Sequence, residues 1–119
     1  MAPAQRRRWR DYRTPAGRRP VSEFIDRLSD ADAASVVAAM KEVALAGTAV
    51  ARHLRDDIYE VRADGDRTIY RILFAPEGRH GQVLLALDAF AKKTRKTPPR
   101  AISLAERRLR DWRARAAPT

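Results

Sequence analysis

"IYEVRADGDRTIYRILFA", residues 58–75, holds two runs rich in β-branched and aromatic residues around a short polar stretch. Strand side chains alternate between faces. Tyr59 and Val61 therefore share one face of the first run, and Glu60 and Arg62 share the other. The "ADGD" stretch, 63–66, carries the Asp-Gly signature of a tight hairpin. With a connection of two or four residues, Arg62 pairs across from Ile69, and Arg71 follows on the same face two residues along. A three-residue connection would place the arginines on opposite faces. The expected strands are 58–63 and 67–75.

Downstream, "PEGRHG" leads to "QVLLALDAFA", 82–91, a third strand that completes an antiparallel meander. Two prolines, Pro98 and Pro99, then precede "RAISLAERRLRDWRAR". Its Ile102, Ala105, Leu109 and Trp112 recur on one side of a helix whose other sides are arginine-rich. Upstream, 20–47 reads as a helical hairpin. Ser22 is a candidate cap for the first helix, with Phe24, Ile25 and Leu28 at helical spacing. Ser29 caps the second, Asp30 and Asp32 suit its positive N-terminal end, and Gly47 stops it. Its apolar stripe is Val36, Val37, Met40, Val43 and Ala44. "RRRWRDYR", 6–13, suits a strand at a sheet margin, followed by a Pro- and Gly-containing loop at 14–20. Strand, two helices, three strands and a basic helix make one domain of the α+β class, 1–119, with segments 1–8 and 114–119 expected to be mobile.

The charge is unevenly spread. Seven cations and one anion lie in 1–19, and ten cations and two anions lie in 91–119. The middle, 20–90, has eight cations and twelve anions. With a formal charge of +10, this pattern points to a polyanionic partner, nucleic acid before any other. The bland alternative is a solubilising surface, in which both signs would be mixed. The absence of cysteine excludes disulfides and thiolate metal sites. No apolar run approaches the roughly 20 residues of a membrane span, so the expected setting is the cytoplasm, with no membrane partner.

Familiar catalytic constellations are missing: there is no phosphate loop, no dinucleotide fingerprint and no serine with a base beside it. His53 and His80 have no metal-ligand spacing, so neither metal nor cofactor is expected. What remains is Arg62 and Arg71 on strands, and "KKTRK", 92–96, after the last one. Arginine binds phosphate bidentately and stays charged. Cutting RNA requires a proton taken from a 2′-hydroxyl, charge stabilised on a phosphorane, and a proton given to the 5′-oxygen. Arginines meet the second need, and a lysine whose pKa is lowered by neighbouring cations could carry a proton. Alternatively, this is a solvated sheet face on which Glu60 and Asp88 neutralise some of the cations.

Three stretches resemble the RelE/ParE superfamily of toxin–antitoxin toxins, and its phage-derived, HigB-like branch in particular. They are "PAGRRPVSEFIDRL", "LRDDIYEVRADGDRTIYRILF" and "LLALDAFAKKTRKTPPRAISLAERRL", the last the most specific. The resemblance implies a small RelE-like α+β toxin of a type II module, a ribosome-dependent mRNA endoribonuclease neutralised by a cognate DNA-binding, helix-turn-helix antitoxin. It places catalytic roles at Arg62, Arg71, Lys92 and Lys93, with Thr94, Arg95 and Lys96 contacting RNA. Ribosome-bound mRNA and rRNA are the implied targets. Trp112 stands where some relatives carry a tyrosine or histidine, and it cannot serve as an acid. Two rivals stay open: a ParE-like inhibitor of DNA gyrase, and an RNA-binding phage protein without catalysis.

Overall fold

The computed structural model describes residues 7–116. Five strands form one mixed sheet: β1 (Arg8–Asp11), β2 (Arg52–Arg55), β3 (Ile58–Asp64), β4 (Ile69–Glu77) and β5 (Val83–Ala91). Their order across the sheet is β1-β5-β4-β3-β2. Consecutive neighbours from β2 to β5 are antiparallel, and β1 lies parallel to β5. The described residues also form three α-helices: α1 (Pro20–Asp26), α2 (Asp30–Ala46) and α3 (Pro99–Ala116).

Both sheet faces are covered. Val21 of α1 and Val36, Met40 and Val43 of α2 pack with Val61, Tyr70, Ile72, Phe74 and Leu84 on one face. Ala105 and Leu109 of α3 pack with Tyr12, Ile58, Leu73, Leu85 and Leu87 on the other. Fully burying an aliphatic side chain contributes roughly 1.5–3 kcal/mol, so these two layers account for the cohesion of the sheet. Each face also has its polar ties. Trp9 donates to the Met40 carbonyl at 2.6 Å, and Tyr12 donates to Asp111 at 2.6 Å.

The helix signals act largely as expected. Ser29 Oγ accepts from the Asp32 amide at 3.2 Å, and Gly47 ends α2 at φ +75°. At Gly47 an added Cβ would also meet the Arg7 guanidinium at 2.8 Å. Ser22 does not cap α1: that helix starts at Pro20 with no side-chain cap, because a proline at the first helical position is preset for helix and needs no amide partner. Val37 faces outward, 39% exposed, so the buried stripe of α2 is narrower than expected. Residues 30–50 are apolar and long enough for a membrane span, contrary to expectation. The same helix puts Val36, Met40 and Val43 into the core and carries Lys41 and Glu42 mid-length.

The sheet departs from the expected one in three respects. It gains β2, whose register with β3 shifts between His53 and Arg55. It is mixed, since β1 joins β5 in parallel. And Arg62 pairs directly with Arg71 rather than with Ile69, because the ladder closes at Asp64–Ile69 and the four-residue connection is 65–68, one position later than the expected register requires. Like charges directly opposite repel, so this register needs a compensating anion. Arg7 donates to the Ala44 and Leu45 carbonyls at 3.4 Å, Arg8 belongs to β1, and residues 114–116 belong to α3; of the two segments expected to be mobile, residues 1–6 and 117–119 lie outside the described residues.

Two carboxylates hold elements together through tyrosines. Asp32 accepts from Tyr70 at 2.5 Å and from the Asp66 amide at 2.9 Å. Asp111 accepts from Tyr12 and, at 2.7 Å, from Arg115. The tyrosine hydrogen bond is the main reason each carboxyl titrates below its ordinary range. A depressed carboxylate adds stability above its unfolded pKa, about 3.9, and that contribution is lost as pH falls through the folded value. Urea unfolding followed from about pH 6 to about pH 3 will show the wild type weakening below about pH 4. The double variant D32N/D111N will show a smaller fall.

Candidate nucleic-acid cleft

The end of β5, the segment 92–98 and the first turns of α3 enclose a cleft of about 640 Å³. β5 stops at Ala91, and the Lys92 amide still donates to the Ile69 carbonyl at 2.6 Å. Beyond that bond the chain has left the sheet, so strand alternation no longer governs it. Both Lys92 and Lys93 therefore line the cleft, with Thr94 and Lys96. α3 adds Arg100 and Arg107, while Phe90, Pro98 and Leu104 supply apolar walls. Arg95 borders a shallower depression beside it, with Arg67. Arg62 lies on the same sheet face, paired opposite Arg71, with its side chain 44% exposed.

Arg71 forms part of the cleft wall but is only 1% exposed. Its Nε lies 2.9 Å from Oε1 of Glu60, which is equally buried. Neither of those two atoms has a well-directed hydrogen bond, so the contact is an ion pair rather than an aligned N–H···O bond. The other Arg71 nitrogens reach the segment after β5 and fix it. Nη1 donates to Thr97 Oγ1 at 2.8 Å, and Nη2 donates to the carbonyls of Thr94 at 3.1 Å and Arg95 at 2.5 Å. Thr97 passes the connection on, donating to Glu60 Oε2 at 2.8 Å. Thr94 closes the loop on itself by donating to the Lys96 carbonyl at 2.7 Å. Glu60 also lies 4.0 Å from Arg62 Nε, and it is the anion that makes the opposed arginines tolerable. A buried guanidinium thus holds the lysine loop from beneath.

Asp88 is a half-buried carboxylate that lines the cleft, and its environment differs from that of Glu60. A bulge in β5 sets Leu73 opposite Asp88 but Phe74 opposite Ala86. Leu87 and Asp88 consequently both address the α3 side. Arg108 donates to the Leu87 carbonyl at 2.6 Å and lies 3.5 Å from Asp88 Oδ1. Burial is the dominant influence on Asp88 and raises its pKa, with Arg108 opposing. A carboxyl pushed upward inside a basic cleft is suited to proton transfer.

Sequence patterns assign Asp88 and Glu60 only a neutralising role and do not single out Thr97 or Phe90 as site residues; the arginines of the C-terminal helix, expected to hold the RNA backbone, contribute Arg100 and Arg107 to the cleft. The one available signal was the phase of β5: "VLLALDAFA" is apolar in both alternations up to Asp88, as in a strand covered on two sides. The two histidines stand away from the cleft. His53 Nε2 bonds the Asp56 carbonyl at 2.6 Å, and His80 is exposed in the short turn before β5.

Residues 23–110 match the family described as Phage derived protein Gp49-like (DUF891). The chain belongs to the Gp49-like family. Its cleft lies wholly within the matched segment. The chain is also 32% identical over 115 residues to a protein named "Probable endoribonuclease HigB1" from two strains of Mycobacterium tuberculosis, covering 93% of this chain and 89% of the relative.

Because Arg71 anchors the loop and pairs with Glu60, its removal is an ambiguous test of catalysis, since it leaves Glu60 buried and without that partner. Urea denaturation of R71M is expected to show a loss of about 3–5 kcal/mol. The double variant E60L/R71M, which removes both charges, will recover much of that loss. Equal instability of the two would mean that the Glu60–Arg71 pair is not what holds this region.

Proposed function

We propose that this Gp49-like chain is the toxin of a type II toxin–antitoxin module and acts as an endoribonuclease on messenger RNA. The reading rests above all on one observation: a cationic cleft with apolar walls, in a chain similar over nearly its whole length to a protein named as an endoribonuclease. The RelE-like fold, the ribosome as the setting and a helix-turn-helix antitoxin as the partner are part of the same proposal. The five-stranded mixed sheet flanked by three helices is compatible with that fold.

In the proposed reaction the 2′-hydroxyl oxygen attacks the adjacent phosphorus and loses its proton. The P–O5′ bond breaks and the 5′-oxygen gains a proton, leaving a 2′,3′-cyclic phosphate and a 5′-hydroxyl. Arg62 and Arg71 stabilise the negative charge of the phosphorane, Arg62 by direct contact through its exposed guanidinium and Arg71 by its field from the cleft wall. Lys92 or Lys93 anchors the phosphate or carries a proton. Asp88, with its raised pKa, is a further proton carrier. Phe90 offers a ring for a base to stack on, and Thr94, Arg95 and Lys96 contact the RNA backbone.

Arg62 gives the cleanest test, because its exposed side chain can be removed without opening the core. Primer extension on ribosome-bound mRNA is expected to show codon-linked cuts ending in cyclic phosphate. R62A is expected to cut about 100-fold to 1,000-fold more slowly, with unchanged thermal melting. Undiminished cutting by R62A would remove it from the mechanism. DNA breaks without RNA cuts would replace the nuclease reading with gyrase inhibition.

Asp88 is testable through pH. If its ionised form accepts the 2′-proton, the cleavage rate rises as pH climbs through its raised pKa, above the ordinary value of about 3.9. D88N should abolish that limb of the pH–rate profile. An unchanged profile in D88N would assign proton transfer to the lysines.

A further inference from the structure

A second cavity, of about 690 Å³, opens at the far end of α3 from the cleft. Its walls include Trp9, Arg10, Arg13, Arg19, Trp112 and Arg115. Both tryptophans of the chain stand in this one place. They are held differently. Trp9 is tied by its indole N–H to Met40 and meets Phe74 edge-on at 5.1 Å, so its position is fixed. Trp112 is half-buried beside α3's apolar layer, and its indole N–H has no hydrogen-bond partner among the described residues.

The charges are as uneven as the rings. Arg19 is paired with Asp11 at 2.8 Å, and Arg115 with Asp111. Arg10 and Arg13 are exposed, and their side chains form no ion pair or hydrogen bond among the described residues. Two unpaired guanidinium groups beside an indole suit a ligand carrying both phosphates and flat rings.

A path joins this cavity to the cleft. β1 ends opposite Ala86, which leaves the last part of β5 with an open edge. A small notch at that edge is lined by Thr14, Arg18, Arg27, Asp88 and Arg108. Asp88 borders the cleft as well. On the other side, Thr14 and Arg18 are chain neighbours of Arg13 and Arg19, which line the far cavity. Leu104, Arg108, Trp112 and Arg115 follow one another at helical spacing and border the three depressions in turn. From Arg100 to Arg115, α3 runs about 22 Å at 1.5 Å per residue, the reach of a few nucleotides of extended single strand.

The geometry points to a second RNA-binding site in the Trp9–Trp112 cavity, where a base stacks on Trp112 while Arg10 and Arg13 hold the adjoining phosphates. It would take single-stranded RNA that has left the cleft along α3. This assignment rests on the nuclease reading for its choice of RNA, but its test needs no cleavage.

The full chain is titrated with a single-stranded 2′-O-methyl oligoribonucleotide, which has no free 2′-hydroxyl and cannot be cut by the proposed reaction. Intrinsic tryptophan fluorescence reports on this cavity alone, since both tryptophans line it. Wild-type fluorescence is expected to be quenched on binding. W9F should retain the quench, and W112F should lose it while keeping the wild-type melting temperature. R10E/R13E should bind at least about tenfold more weakly, and its slope of log affinity against log salt should be shallower by about 1.4, two phosphate contacts at about 0.7 each. Unchanged affinity and salt slope in R10E/R13E would overturn the site. So would a variant that keeps RNA binding and loses only a protein partner, which would make the cavity a protein-docking surface. A chain that never cuts RNA yet shows the Trp112 quench would sink the nuclease reading and leave this site standing.

Discussion

The buried contact between Glu60 and Arg71 is the constraint around which the cleft is organised. Two opposite charges leave water only when geometry and further hydrogen bonds compensate for their desolvation. Here the compensation comes from the segment after β5: two carbonyls and the Thr97 hydroxyl complete the guanidinium's partners. The loop that bears the lysines is therefore ordered by the same bonds that make the ion pair tolerable. Neither half stands without the other. Rigid placement matters because a cluster of cations disperses when its backbone is free, and the field at one phosphate falls accordingly.

The helices and the β3–β4 pairing were legible because their signals are local: Ser29 and Gly47 at the ends of α2, Asp-Gly between two alternating runs, Pro98 and Pro99 ahead of α3. The β2 strand was not, since "RHLR" is polar and short, and it pairs only through a shifted register with β3. Nor was the parallel contact of β1 with β5, which joins residues more than seventy positions apart and leaves no periodic mark. Lys92 and Lys93 share the cleft because the strand ends first, at Ala91, which is also where the expected third strand stops. Arg71 shows why charge pattern alone misplaces a side chain. Alternation put it correctly on the face of Arg62, but whether that face met water depended on where α3 packed. Leu73 and Ala75 on the same alternation already hinted at cover.

The charge asymmetry acquires a physical form in the three depressions along α3. The basic ends of the sequence meet there, the N-terminal strand and its following loop on one side and the C-terminal helix on the other. Tyr12 sits between them, with the Arg108 and Arg115 guanidinium carbons 5.7 and 5.5 Å from its ring centroid. Such cation–π contacts contribute about 0.5–1 kcal/mol at exposed sites. They add to the ion pairs of Arg108 with Asp88 and of Arg115 with Asp111 in holding two arginines close together beside one ring.

The bulge at Leu87 and Asp88 imposes a rule of counting on β5. Upstream of it, odd-numbered residues face α3; downstream, even-numbered ones do. A one-residue insertion or deletion between Leu85 and Ala91 would reverse the phase of everything after it, swinging Asp88 and Phe90 to the side of α1 and α2. Substitutions there alter one side chain, but a change in length alters which layer the whole strand end belongs to. A change of length in this chain is therefore far better tolerated in the turn around the exposed residues 78–80 than in the nine residues of β5.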